Sequence, residues 1–246
     1  MMLTKTPPTL IHITHWKSGS QWIHKILRAC FPEKIVDPTV GNKQFLEEKV
    51  REGSVYPTVY ITHEEFQRAT LPKHWYRFVI IRDLRDTLIS GYFSIKNSHP
   101  AIGPIPEWRQ KLKTMSKNEG ILWILENWLP DSAAIQASWV KAGERLIKYE
   151  DLLLNDVDVL SKIIIDEAHY PISRAKLETI IRENRFVSMS GGRQRGEEDL
   201  NMHERKGIAG DWKNHFTPEI RQIFAEQYGD LLIKTKYEQD ENWKNG

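Results

Sequence analysis

At 246 residues the chain has room for one well-buried α/β domain or two small ones, and 40% hydrophobic with 28% charged residues is a globular composition, which excludes disorder as the default. A formal net charge of +2 argues against a nucleic-acid partner, whose binder carries a large or striped positive charge. Any anion site therefore has to be built from a few converging residues. The single cysteine, Cys30, excludes an intrachain disulfide framework and fits a reducing compartment. The start, MMLTKTPPTL, has no apolar signal core, and no window approaches the roughly 18 to 20 apolar residues of a membrane span. The expectation is a cytoplasmic protein with no membrane partner.

In chain order, residues 1–9 read as an N-terminal tail. LIHITH (10–15) is a β-branched run that predicts a first strand, followed by a tight polar turn and a helical pattern in which Trp22, Ile23, Ile26, Leu27 and Cys30 share a face. PTVYITH (57–63) predicts a second strand. YRFVIIRD (76–83), apolar almost throughout, reads as a strand covered on both faces. DTLISGYFSIK and GILWILENWL carry helical patterns, and ERLIKYED (144–151) is a fourth strand candidate. The polar tract SMSGGRQRGEEDLNMHE (188–204) reads as a mobile lid or as a plain surface loop. No internal repeat or low-complexity linker divides the chain, so 1–246 reads as a single domain. Strands separated by helices predict an α/β fold with a central parallel β-sheet flanked by helices, whose ligands bind beyond the carboxyl ends of the strands.

The turn after the first strand, HWKSGSQW (15–22), lies at such an end. A glycine-containing loop that leaves a strand and enters a helix offers backbone N–H groups and the positive end of the helix dipole, to which Lys17 adds a charge. Ser18, Ser20 and Gln21 add donors. On its own terms the turn fits an anion cradle and a tight turn with a solvated lysine equally well. The nucleotide P-loop pattern is absent, because Lys17 precedes Gly19 and no glycine lies upstream.

Two further stretches carry converging cations. Arg82 stands just past the apolar strand, with Ser90 eight residues on, and offers a planar fork to a phosphate; it can equally pair with Asp83 or Asp86. ERKGIAGDWKNHFT (204–217) sets Arg205 and Lys206 before Gly207, where backbone and two cations can approach a ligand together. Three phosphate-type sites suggest a ligand with more than one anionic group.

These motifs resemble those of the PAPS-dependent sulfotransferases, which use 3′-phosphoadenylyl sulfate (PAPS). HWKSGSQW is similar to their phosphosulfate-binding, P-loop-like loop, usually P-K-S-G-T-T-W, and IIRDLRDTLISGYFS to their 3′-phosphate motif. RKGIAGDWKNHFT is similar to their C-terminal R-K-G-x-x-G-D-W-K-N-x-F-T signature, while IKYEDLL and ITHEEF match in kind and order. The resemblance implies that Lys17, Ser18, Gly19, Ser20 and Gln21 hold the 5′-phosphosulfate, and that Arg82, Ser90, Arg205, Lys206 and Gly207 hold the 3′-phosphate. It places the adenine between Trp22 and Phe186 with Tyr149 nearby. His63 matches the catalytic base, and Lys17 would neutralise charge on the bridging oxygen of the departing 3′-phosphoadenosine 5′-phosphate (PAP). No metal is implied, and no histidine or cysteine cluster has ligand spacing.

The sequence departs from the family pattern at Gln21, usually threonine, and at Ile61, where a lysine often stands. The family's dimer motif reads KNHFTPEIRQ here, with Pro218 and Gln222 replacing valine and glutamate, which implies a monomer or a weak homodimer. The acceptor expected is a small hydroxylated molecule, for which KNSHPAIGPIPEW (96–108) would form a pocket cover and Trp108, Trp123 and Trp128 an aromatic lining or a core. Two other classes stay open on residues alone: a P-loop-like kinase or NTPase using Asp83 for magnesium, and a non-catalytic adenosine bisphosphate binder.

Overall fold

The structure is a computed structural model in which residues 7–245 are described. Its strands are β1 (Thr9–Thr14), β2 (Val55–Val59), β3 (Trp75–Ile81) and β4 (Leu146–Lys148). Its α-helices are α1 (Ser20–Cys30), α2 (Lys43–Leu46), α3 (His63–Arg68), α4 (Leu84–Phe93), α5 (Ile105–Thr114), α6 (Lys117–Asn127), α7 (Leu129–Lys141), α8 (Tyr149–Ser161), α9 (Arg174–Glu183), α10 (Phe186–Met189) and α11 (Pro218–Lys234). The chain groups into two compact units. One combines the residues up to Ile81 with Lys141–Arg185, the other Arg82–Val140 with the residues from Phe186 on. Of the tail expected over 1–9, residues 1–6 lie outside the described residues and Thr9 already opens β1.

The first unit is built on a parallel sheet that, among the described residues, has four strands in the order β2-β1-β3-β4. All six residues of β1 are buried, as are all five of β2 and the last four of β3. Their β-branched, apolar runs suit strands covered on both faces. β1 pairs with β3 from Thr9 opposite Trp75 to Thr14 opposite Ile80, so the two strands end almost level. Helix α1 packs against β2 and α9 through Trp22, Ile23, Ile26 and Leu27. Each such side chain contributes roughly 1.5 to 3 kcal/mol of burial. The expected α/β sheet with flanking helices is thus the architecture observed.

Two expected strands are shorter than their sequence runs. β2 ends at Val59, and the Thr62 hydroxyl accepts from Glu65 N while the Glu65 carboxylate accepts from Thr62 N. That reciprocal cap starts α3 at His63, which therefore opens a helix and does not close a strand. Within 144–151 only Leu146–Lys148 pairs, and Tyr149 opens α8 with Glu150 and Asp151 in its first turn, where acids complement the helix dipole.

The second unit is helical. Its core joins Leu84, Leu88, Ile121, Ile124, Trp212 and Phe224 among others, and Trp108, Trp123 and Trp128 pack against it, which favours the core reading of those tryptophans. Arg85, 3% exposed, is fixed by both oxygens of Asp83, by Glu238 at 2.5 Å, and by the rings of Trp212 and Trp243. Pro218 takes the first turn of α11 behind a Thr217 cap, a position its fixed φ suits. Among the described residues, no helix is long and apolar enough to cross a membrane.

Candidate active site

In the first unit the site residues follow the carboxyl ends of the strands. β1 ends at Thr14, and the chain reverses into α1 through Lys17, at φ +63°, and Gly19, at φ +86°. The left-handed conformation costs a lysine about 1 to 2 kcal/mol and a glycine almost nothing. No side chain caps α1 at Gly19, so the helix start keeps N–H groups that have no carbonyl within the helix. An anion is their natural partner.

The serines of this turn serve it in different ways. The hydroxyl of Ser18, fully buried, lies 2.5 Å from the His15 carbonyl and beside the Thr14 hydroxyl, which lies 3.0 Å from the Ile80 carbonyl, so the two hydroxyls share their protons among these acceptors. Its side chain thus shapes the loop and ties it to β3, leaving its backbone for a ligand. Ser20 accepts from the Tyr60 hydroxyl at 2.9 Å, and the Tyr60 ring stacks on Trp16. Burial raises the Tyr60 pKa above its usual value, against the bond to Ser20, so the phenol stays protonated as a donor. Gln21 is exposed on the first turn of α1.

Aromatic rings cover this loop. The Tyr149 ring lies against Gly19, where a β-carbon would come within 2.7 Å of it, and it meets Trp22 edge-on at 6.3 Å between centroids. The Trp22 ring is 8% exposed, and its indole N–H is buried with no hydrogen-bond partner among the described residues. His63 opens α3, three residues after Tyr60. The Gln67 side-chain amide lies 3.1 Å from the His63 Nε2.

The second unit gathers the other cations. Arg82 follows β3 directly, lies 3.8 Å from Asp86 and donates to the Ile208 carbonyl at 3.3 Å. Asp86, almost fully buried, also accepts from Gly210 N at 2.7 Å and Trp212 N at 3.0 Å, so one carboxylate ties Arg82 to the 205–212 segment. Burial raises its pKa, opposed by Arg82 and the two backbone donors. The Asp83 carboxylate is bonded by Arg85 at 2.7 Å. Ser90 occupies the last turn of α4 and is partly exposed.

Asp211, 1% exposed, organises the remaining pair. Its carboxylate binds Arg205 at 2.5 Å, Lys206 at 2.7 Å, Asn214 at 3.0 Å and His215 at 3.1 Å. Burial opposes its charge, yet the bonds from His215, Lys206, Arg205 and Asn214 outweigh it and hold the carboxyl far below the usual range. Glu198 takes the other end of Arg205. Gly207, at φ +67°, lies under the Phe186 ring so closely that a β-carbon would overlap it. Phe186, Arg205, Lys206 and Gly207 therefore form one local group.

Sequence reasoning named the candidate cations and glycines, with Asp86 as one pairing option for Arg82, and missed the other residues that hold them. Thr14 reaches Ile80, Tyr60 reaches Ser20 and Asp86 reaches Gly210 and Trp212, all distant in the chain, whereas Arg205, Lys206, Asn214 and His215 lie within six residues of Asp211. The readable signals were the four-residue spacings of Asp86 after Arg82 and of His215 after Asp211.

The comparisons with known proteins show the family. The family described as "Sulfotransferase domain" matches residues 7–236, across both units, and the chain belongs to that family. Sulfotransferase 1E1 of Cavia porcellus is 26% identical over 255 residues, covering 90% of this chain and 82% of that one. A mouse sulfotransferase, SULT7A1, solved with PAP, superposes with a TM-score of 0.64 at 17% identity, covering 92% of this chain and 84% of that chain. Retinol dehydratase, solved with retinol and PAP, gives a TM-score of 0.55 at 14% identity over 92% of this chain and 81% of that chain.

Proposed function

We propose that the chain transfers a sulfuryl group from PAPS to the hydroxyl of a small acceptor. The observation that carries this reading is the loop between β1 and α1, where Lys17 and Gly19 in left-handed conformation leave an uncapped helix start aimed past the sheet's carboxyl edge. Lys17 and the backbone of Ser18 to Gln21 would hold the 5′-phosphosulfate. Arg82, Arg205 and Lys206 would hold the 3′-phosphate with Ser90 and Gly207, and Trp22, Tyr149 and Phe186 the adenine. That two structural neighbours were solved with PAP supports PAPS as the donor.

The donor, when bound, supplies a sulfuryl group whose transfer demands positioning and charge stabilisation more than covalent help from the protein. Lys17 would place its ammonium where charge grows on the leaving oxygen. His63 would accept the acceptor hydroxyl's proton, a contribution of about 10² to 10⁴ in rate. Residues 188–204 would act as a lid over the bound cofactor. The test is PAP release from PAPS in the presence of a panel of phenols and alcohols, with His63→Ala alongside. Acceptor-dependent release that falls by about 10² or more in the variant, at unchanged PAP affinity, supports the reading; equal turnover by the variant would place the base elsewhere.

A further inference from the structure

Within the second unit, Arg193 makes an arrangement that none of the proposed cofactor contacts explains. Its guanidinium donates to three backbone carbonyls, Glu197 O at 2.9 Å, Arg205 O at 2.8 Å and Glu204 O at 2.5 Å, and its Cζ lies 5.4 Å from the centroid of the Phe186 ring. Around it the 193–206 segment folds back on itself, with Gly196 N bonded to Lys206 O and Asp199 N to Arg205 O, each at 2.9 Å. On its near side the hydroxyl of Ser190, the first residue after α10, donates to the Arg193 carbonyl at 3.2 Å. A side chain with five donors in a rigid fork is the residue suited to bind several carbonyls at once, which a lysine's compact ammonium cannot match.

The three carbonyls are not an arbitrary set. Two belong to residues at the far end of the loop, directly before Lys206 and Gly207, and the ring under the guanidinium is the one packed on Gly207. Arg193 therefore closes a 12-residue separation in sequence to Arg205 and sits between Phe186 and the Arg205–Gly207 backbone. A loop this polar buries little apolar surface of its own, so without such a fastening it would pay its ordering entropy when a ligand arrives.

We propose that Arg193 is a positioning residue for the nucleoside end of the cofactor, fixing the ring of Phe186 and the backbone of Arg205 to Gly207 before the ligand binds. This rests on the reading that those residues hold PAPS. Arg193 itself contacts neither the reacting atoms nor, by this assignment, the phosphate.

The experiment compares the full-length protein with Arg193→Ala and Arg193→Lys in two arms. Without ligand, hydrogen exchange should show faster exchange at the amides of Gly196 and Asp199 in both variants, with the amides of β1 and β3 unchanged. Unchanged exchange at Gly196 and Asp199 would overturn the clamp. In the second arm PAP titration should give a dissociation constant raised by about tenfold or more in both variants, the worth of charge-assisted bonds lost from the prepared state. Methylguanidinium should restore part of the affinity to Arg193→Ala. Equal PAP affinity in wild type and Arg193→Ala would overturn the positioning role. Failure of the wild type to bind PAP would overturn the cofactor reading instead, and the exchange arm would still decide whether Arg193 fastens the loop.

Discussion

The ring of Tyr149 lies against the backbone of Gly19, filling the space in which any other residue would place its β-carbon. Gly19 is thus required twice over, for its φ of +86° and for this contact. Gly19→Ala should destabilise the protein by about 1 to 2 kcal/mol from the left-handed backbone alone, with a further cost for moving the ring. Chemical denaturation checks the stability, and PAP titration should show a larger loss than that shift conveys, because the displaced loop is the proposed anion cradle. A fully stable variant with normal PAP affinity would mean that the ring and loop are loosely coupled.

Asp211 supplies a second test, since one buried carboxylate holds both Arg205 and Lys206. Asp211→Asn keeps the shape and removes the charge. Loss of hydrogen bonds between charged groups should cost about 2 to 3 kcal/mol of stability. PAP affinity should fall as well, because the two cations lose the anchor that aims them. A variant of wild-type stability would show that solvent replaces the carboxylate.

A pH dependence follows from His12, which is fully buried in β1, stacks on Phe78 at 4.9 Å, and donates from Nδ1 to the Pro57 carbonyl at 2.7 Å. Burial lowers its pKa from 6.5 to about 4, against the bond to Pro57. Because the folded value lies below the unfolded one, the stability is fully present above pH 6.5 and is lost as pH falls toward 4. Between pH 7.5 and pH 5.0 this should remove about 2 kcal/mol, read by urea unfolding at the two values. His12→Gln, which keeps a donor and does not titrate, should show a flatter profile; an equal slope would assign the loss to other groups.

The sequence reading reached the elements whose chemistry is local. A buried parallel strand looks like FVII because both faces are covered, and the turn after β1 looks like KSGS because its glycine takes, as Lys17 also does, a left-handed backbone beside a helix start. What it missed was set by partners far away in the chain. Ser18 reads as a ligand hydroxyl until its neighbours prove to be Thr14 and the His15 carbonyl, and through Thr14 the Ile80 carbonyl. His63 reads as the end of a strand, yet the Thr62 and Glu65 pair of a capping box stood in the sequence and marks the helix start that carries it. Arg193 gave no signal at all, because a guanidinium bound to backbone carbonyls leaves no pattern in side-chain spacing.

The central claim is that the chain grips a nucleotide carrying both a 5′ and a 3′ anionic group, and thermal unfolding tests it most directly. With PAP about 100-fold above its dissociation constant, the native state should gain about 2.7 kcal/mol and the midpoint should rise by about 5 to 11 °C. Adenosine 5′-phosphate at the same concentration should move it far less, since Arg82, Arg205 and Lys206 would lack their phosphate. An equal shift with adenosine 5′-phosphate, no shift with PAP, or a shift only with ATP and magnesium would contradict the account.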